Sequence, residues 1–177
     1  AKGKGSVIPD FSVQIDEALF LWGQKVQWRI SSGNDNFKQE SISSDPSTAY
    51  EYAPGAIPLP LGSFLLFPSE VGPYSTLRSV RFQQGKPLGD VDVSAQVDKY
   101  LPAGVRGLTA SDTLRCLFMW ADAEPDRLAV WNYLYQGEEY AQSAWNKWRL
   151  PGGSILWAGI KGNILRVLQQ RPEGVAL

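Results

Sequence analysis

The sequence predicts a mainly-β protein built of antiparallel meanders, arranged as propeller-like blades or alternatively as a β-sandwich, with one short helix near residues 92–101. Three observations lead there. Seven Trp, seven Tyr and seven Phe stand against a single Met, a bias that suits pleated, half-buried surfaces better than helix bundles. Twelve Pro and seventeen Gly interrupt the chain often, as short strands and turns require. Over residues 112–170, apolar runs of strand length alternate with turn clusters, the pattern of a regular antiparallel meander. Blades are favoured over a sandwich because each block ends near a turn and restarts with an apolar strand.

The elements follow in order. Ala1 to Ser6 has no apolar core and reads as a flexible lead-in or a cut end. Ala18-Leu19-Phe20-Leu21-Trp22 is a continuous apolar run, and Val26-Gln27-Trp28-Arg29-Ile30 alternates with period two. With the turn Gly23-Gln24-Lys25 between them, the two make a β-hairpin. Residues 34–62 are expected to be a long irregular loop with at most one short strand or helical turn. Asp45-Pro46 and Pro54-Gly55-Ala56-Ile57-Pro58-Leu59-Pro60 exclude regular helix there, because proline removes donors and fixes φ.

Ser63 to Phe67 and Thr76 to Phe82 return to strand character. Asp90 or Asp92 can cap a helix carrying Val93, Val97, Tyr100 and Leu101 on one side, stopped by Pro102 and Gly104. Beyond it, strands are expected at Leu114–Ala121, Arg127–Tyr135, Ala144–Leu150, Ile155–Ile160 and Ile164–Gln169. We treat residues 1–177 as a single β-rich domain.

Composition excludes much chemistry. The chain has no His and one Cys, which removes Ser-His-Asp triads, Cys-His dyads, zinc ribbons and redox pairs. Cys116, inside Leu114 to Trp120, reads as a core thiol. Gly85-Lys86 runs into Pro87 and is no phosphate-binding loop. Acidic groups at Asp16-Glu17, at Asp122, Glu124 and Asp126, and at Glu138-Glu139 lie beside turns, where carboxylates are ordinarily solvated. We assign no catalytic residue, cofactor or metal.

A net charge of −1, from 17 basic and 18 acidic residues, gives no bulk attraction for nucleic acid. No segment has the apolar length of a membrane helix. The remaining candidates are aromatic. Tryptophans and tyrosines crowd between Trp120 and Trp157, and cross-strand packing is their ordinary use. In Trp145-Asn146-Lys147-Trp148, alternation puts Trp145 and Trp148 on opposite faces, so at least one is free to serve as an interaction residue. A carbohydrate-binding β module using this Trp-rich meander is the alternative to a purely structural part.

Three stretches together resemble a known family. The first is Ile15 to Gly33, an apolar strand ending in Trp22, a polar turn, then Gln27-Trp28 and Ser32-Gly33. The second is Val97-Asp98-Lys99-Tyr100-Leu101-Pro102-Ala103-Gly104-Val105. The third joins Trp131-Asn132-Tyr133-Leu134-Tyr135 and Glu138-Glu139 to Gln142-Ser143-Ala144-Trp145-Asn146-Lys147-Trp148. In this order they resemble the tail nozzle proteins (tail tubular protein B) of short-tailed bacteriophages.

The resemblance implies a structural virion component without enzymatic activity. It implies a homo-hexameric ring beneath the tail adaptor protein, docking tail fibres or spikes and enclosing a DNA-ejection channel. Double-stranded DNA would pass without sequence-specific binding. Assembly would occur in the host cytoplasm, without membrane insertion by this segment. Members of that family are several times longer, so the chain is expected to be an internal piece or a compact relative.

Overall fold

In the computed structural model, which describes residues 9–15, 18–23, 25–32, 42–136 and 139–177, four antiparallel sheets follow one another along the chain. Sheet A is β1 (Phe11–Ile15), β2 (Ala18–Trp22), β3 (Gln27–Ser32) and β4 (Ile42–Thr48), paired in that order. Sheet B is β5 (Leu59–Leu61), β6 (Phe64–Val71), β7 (Tyr74–Gln83) and β8 (Lys86–Asp92), with β9 (Leu101–Pro102) beside the start of β7. Sheet C is β10 (Val105–Ser111), β11 (Cys116–Ala121), β12 (Glu124–Gln136) and β13 (Glu139–Arg149). Sheet D is β14 (Ser154–Lys161), β15 (Ile164–Arg171) and β16 (Gly174–Ala176). The fold is mainly β, as expected.

Successive side chains of a strand point to opposite faces, and that alternation stacks the sheets. Leu65, Phe67, Val80 and Phe82 of sheet B pack against Val13, Ile15, Ala18, Phe20 and Trp22 of sheet A. On the other face of B, Leu66 and Leu77 meet Leu117, Met119, Ala129 and Trp131 of sheet C. The reverse face of C sends Cys116, Phe118, Leu128 and Val130 against Ile155 and Ala158 of sheet D. Sheets B and C are therefore covered on both faces. That is why Phe64 to Phe67, Cys116–Ala121 and Leu128 to Trp131 read as unbroken apolar runs instead of alternating ones. The leading strands β1, β5, β10 and β14 lie next to one another, each beside that of the neighbouring sheet.

Three expectations change. The helix near 92–101 is a single 3-10 turn at Ala95–Val97. Asp92 Oδ1 accepts bonds from Ser94 N at 2.8 Å and Ser94 Oγ at 2.6 Å, and Ser94 Oγ accepts one from Leu77 N at 3.0 Å. Such local side-chain bonds compete with helix. Positive φ at Lys99 then turns the chain into β9, and one turn is too short to offset helix nucleation.

The expected loop over 34–62 carries β4, a packed strap and β5 instead. Pro46 is tolerated because β4 is an edge strand, and it pairs opposite Trp28 beside a register irregularity. Tyr52 is buried between sheets A and B, and Ala53 and Ala56 between B and C. The regular pattern of 112–170 divides between two sheets, because the chain leaves C at Pro151-Gly152-Gly153 and starts D. The lead-in Ala1–Ser6, the pair Asp16-Glu17, the turn residue Gln24, Glu138 and the stretch 33–41 lie outside the described residues.

Candidate interaction surfaces

Trp145 and Trp148, the interaction candidates, stand on opposite faces of β13. Trp145 is partly buried against the core between sheets B and C, stacked on Trp131 with centroids 6.0 Å apart. Its indole Nε1 donates to the carbonyl oxygen of Val93 at 3.0 Å. Trp131, fully buried, also stacks on Tyr133 and donates from Nε1 to Ser143 Oγ at 2.9 Å. Trp145 thus helps to tie the segment after β8 onto sheet C. Trp148 is 47% exposed and meets the Phe118 ring edge-on at 5.2 Å. Of the two, Trp148 is the one with an open indole surface.

The carboxylates are matched to cations rather than to one another. Asp122 pairs with Arg106 at 2.7 Å, Glu124 with Lys147 at 2.6 Å, and Asp126 with Arg149 at 2.8 Å. These links join the β11–β12 turn to the ends of β10 and β13. The hydrogen bond from Arg149 holds the Asp126 carboxyl below the usual carboxylate range. A general acid needs the opposite shift.

Cys116 is buried, and desolvation pushes its thiol up, away from the thiolate that a nucleophile requires. Among the described residues, no group of three His, Cys, Asp or Glu side chains is placed to hold a metal ion. No helix among them is long and apolar enough to cross a membrane.

Among the described residues, two of the clefts that carry unpaired polar groups bear on interaction. One, of about 430 Å³, lies between the β5–β6 turn and sheet C. Phe64, Asp112, Arg115, Tyr133 and Tyr135 line it, and the Tyr133 and Tyr135 hydroxyls have no partner. The other, of about 510 Å³, lies where β10 and β14 run side by side, and is lined by Trp120, Trp157 and the cations Arg106, Lys161 and Arg166.

Sequence reading missed this second cleft, because its residues come from three separated segments. One signal was present: in Trp157-Ala158-Gly159-Ile160-Lys161, period-two alternation alone places the indole, the glycine and the ammonium on one face.

Ordered antiparallel meanders stacked through apolar alternation define a β-scaffold. The chain belongs to the bacteriophage nozzle protein family, whose model matches residues 6–177. It is a component of the virion tail. A curated relative is the "Tail tubular protein gp12" of Escherichia phage T7, 23% identical over 143 residues. That match covers 78% of this chain and 18% of the relative, so the chain spans less than a fifth of the protein it resembles.

Proposed function

We propose that this chain is a structural segment of a hexameric tail nozzle, a wall element of the passage through which double-stranded DNA leaves the particle. The observation that carries the reading is the family match over residues 6–177. The architecture agrees with it: sheets A to D stack in chain order with their leading strands adjacent, as blades of a propeller do.

A near-neutral chain suits a conduit. Dense Lys and Arg on its wall would grip phosphates and slow passage, and the net charge here is −1. In this reading the segment performs no catalysis, lets double-stranded DNA pass without sequence-specific binding and joins the tail after synthesis in the host cytoplasm. It meets the adaptor and the fibres or spikes as parts of the same tail.

Contacts between subunits fit the outer face of sheet A best. Phe20 and Trp22 point inward, so Leu19 and Leu21 point outward, opposite Ile30 and Trp28 respectively. All four are only partly buried, and a sheet face of this composition is ordinarily covered.

The test is light scattering and negative-stain imaging of the full-length protein, alone and with its adaptor ring. Six-fold rings with a central hole are expected, and Trp28→Glu is expected to reduce them to single subunits. Full-length protein that stays monomeric even with the adaptor would overturn the hexamer. Rings indifferent to Trp28→Glu would overturn the placement of the contact alone.

A further inference from the structure

The 510 Å³ cleft between β10 and β14 is built differently from the packed faces around it. Two glycines create it. A Cβ at Gly107 would penetrate the six-membered ring of Trp120, its cross-strand partner on β11, and a Cβ at Gly159 would penetrate the ring of Trp157 on its own strand. Each indole therefore occupies the space that a side chain at the glycine would fill. Trp120 is 6% exposed, and its Nε1 is buried without an acceptor. Trp157 is 49% exposed and lines the cleft.

The charges at this cleft have one sign. Arg106, Lys161 and Arg166 line it, and no carboxylate does. Arg106 is engaged by Asp122. Among the described residues, Lys161 and Arg166 have no ion-pair partner. Register places Arg166 directly across from Gly159, Leu168 across from Trp157, and Ile164 across from Lys161. Both free cations therefore share a sheet face with the exposed indole. Covering that face with another apolar sheet would bury two unpaired cations, which is strongly unfavourable. The outer face of sheet A, with Leu19, Leu21, Trp28 and Ile30, has no such obstacle.

We infer that this cleft binds an anionic sugar unit, a uronic acid or a phosphorylated hexose of a cell-surface or capsular glycan. The flat CH face of a pyranose ring stacks on Trp157, as amphipathic ring surfaces do on indole, and its carboxylate or phosphate is held by Lys161 and Arg166. The lining favours a sugar over a nucleic acid. All its charged side chains are donors, suited to an anionic group. Single-stranded binding uses successive stacking platforms along a basic groove, and this cleft has one open indole.

The proposal is independent of ring assembly and is tested on this chain. Tetragalacturonate and glucose 6-phosphate are titrated while the seven tryptophan indole N–H resonances are followed by NMR. Cellotetraose and oligo(dT) serve as comparators. Saturable shifts of the Trp157 resonance are expected with the anionic sugars, weakening with added salt.

Trp157→Ala and the double change Lys161→Gln with Arg166→Gln should each weaken binding about tenfold or more. Gly159→Ala should do the same by displacing the ring. Trp148→Ala should bind as the unaltered chain does. Folding is checked by circular dichroism, and the first two variants alter exposed side chains only. Absence of saturation with both anionic sugars, variants that bind unchanged, equal affinity for cellotetraose, or tighter binding of oligo(dT) would each overturn the inference.

Discussion

Gln27→Leu tests how the strap after β4 is held to sheet A. Gln27 is fully buried, and its amide makes four hydrogen bonds. Nε2 donates to the carbonyls of Gly23 at 3.0 Å and Tyr50 at 2.9 Å. Oε1 accepts from Thr48 Oγ1 at 2.8 Å and from Tyr50 N at 2.9 Å. One side chain thereby satisfies the turn before β3, the end of β4 and both backbone polar groups of Tyr50.

Leucine has similar volume and none of these bonds. At about 1 kcal/mol net for each bond, the total lost is about 4 kcal/mol. Water can reach some of the part-buried partners and reduces the expected cost to about 3 kcal/mol. For a chain of this size that lowers the melting temperature by roughly 6–12 °C. Urea unfolding followed by circular dichroism measures it, with the slope held unchanged as the sign of a pure stability effect. A loss below about 1 kcal/mol would refute the view that Gln27 is the tie, and would leave Tyr52 packing as the force that seats the strap.

Other substitutions separate core from surface. Trp131→Ala empties the fully buried centre between sheets B and C and is expected to cost about 3–5 kcal/mol by thermal or urea unfolding. Trp148→Ala removes a half-exposed ring with one edge contact to Phe118 and should cost about 1 kcal/mol or less. Gly107→Ala drives a methyl into the Trp120 ring and should destabilise by about 1–3 kcal/mol, with altered near-ultraviolet dichroism.

The Asp126 carboxyl is held low in the folded chain by Arg149. Its contribution is therefore present above the unfolded carboxylate value, about 3.9, and disappears as pH falls through the lowered folded value. Melting curves of the unaltered chain and Asp126→Asn should differ slightly at neutral pH and converge in strong acid. Cys116, buried with its thiol pushed up, should react with Ellman's reagent only on unfolding.

Much of this architecture was legible before any tertiary structure. Proline, glycine and aromatic content set the β class, and the hairpin of Ala18–Trp22 with Gln27–Ser32 follows from local alternation around a short turn. The absence of His and the single Cys removed whole classes of chemistry at once. These are properties of composition and of neighbours in the chain, and they survive without knowledge of what packs on what.

Other features depend on distant partners. Pro46 excluded helix and left its segment reading as loop, and only the edge position of β4 admits it to a strand. Val93 and Leu101 suggested a helix face, but both are buried in the core between sheets B and C, joined across one 3-10 turn. The sequence by itself determined a mainly-β, non-histidine scaffold and the alternation within each strand. Tertiary structure decided which sheet each face meets, that Trp145 is tied to Val93 while Trp148 stays open, and that Arg106, Trp120, Trp157 and Arg166 share one cleft. The physical reason is range. Strand periodicity is written in adjacent residues, while burial and pairing are set by groups brought together only when successive meanders stack.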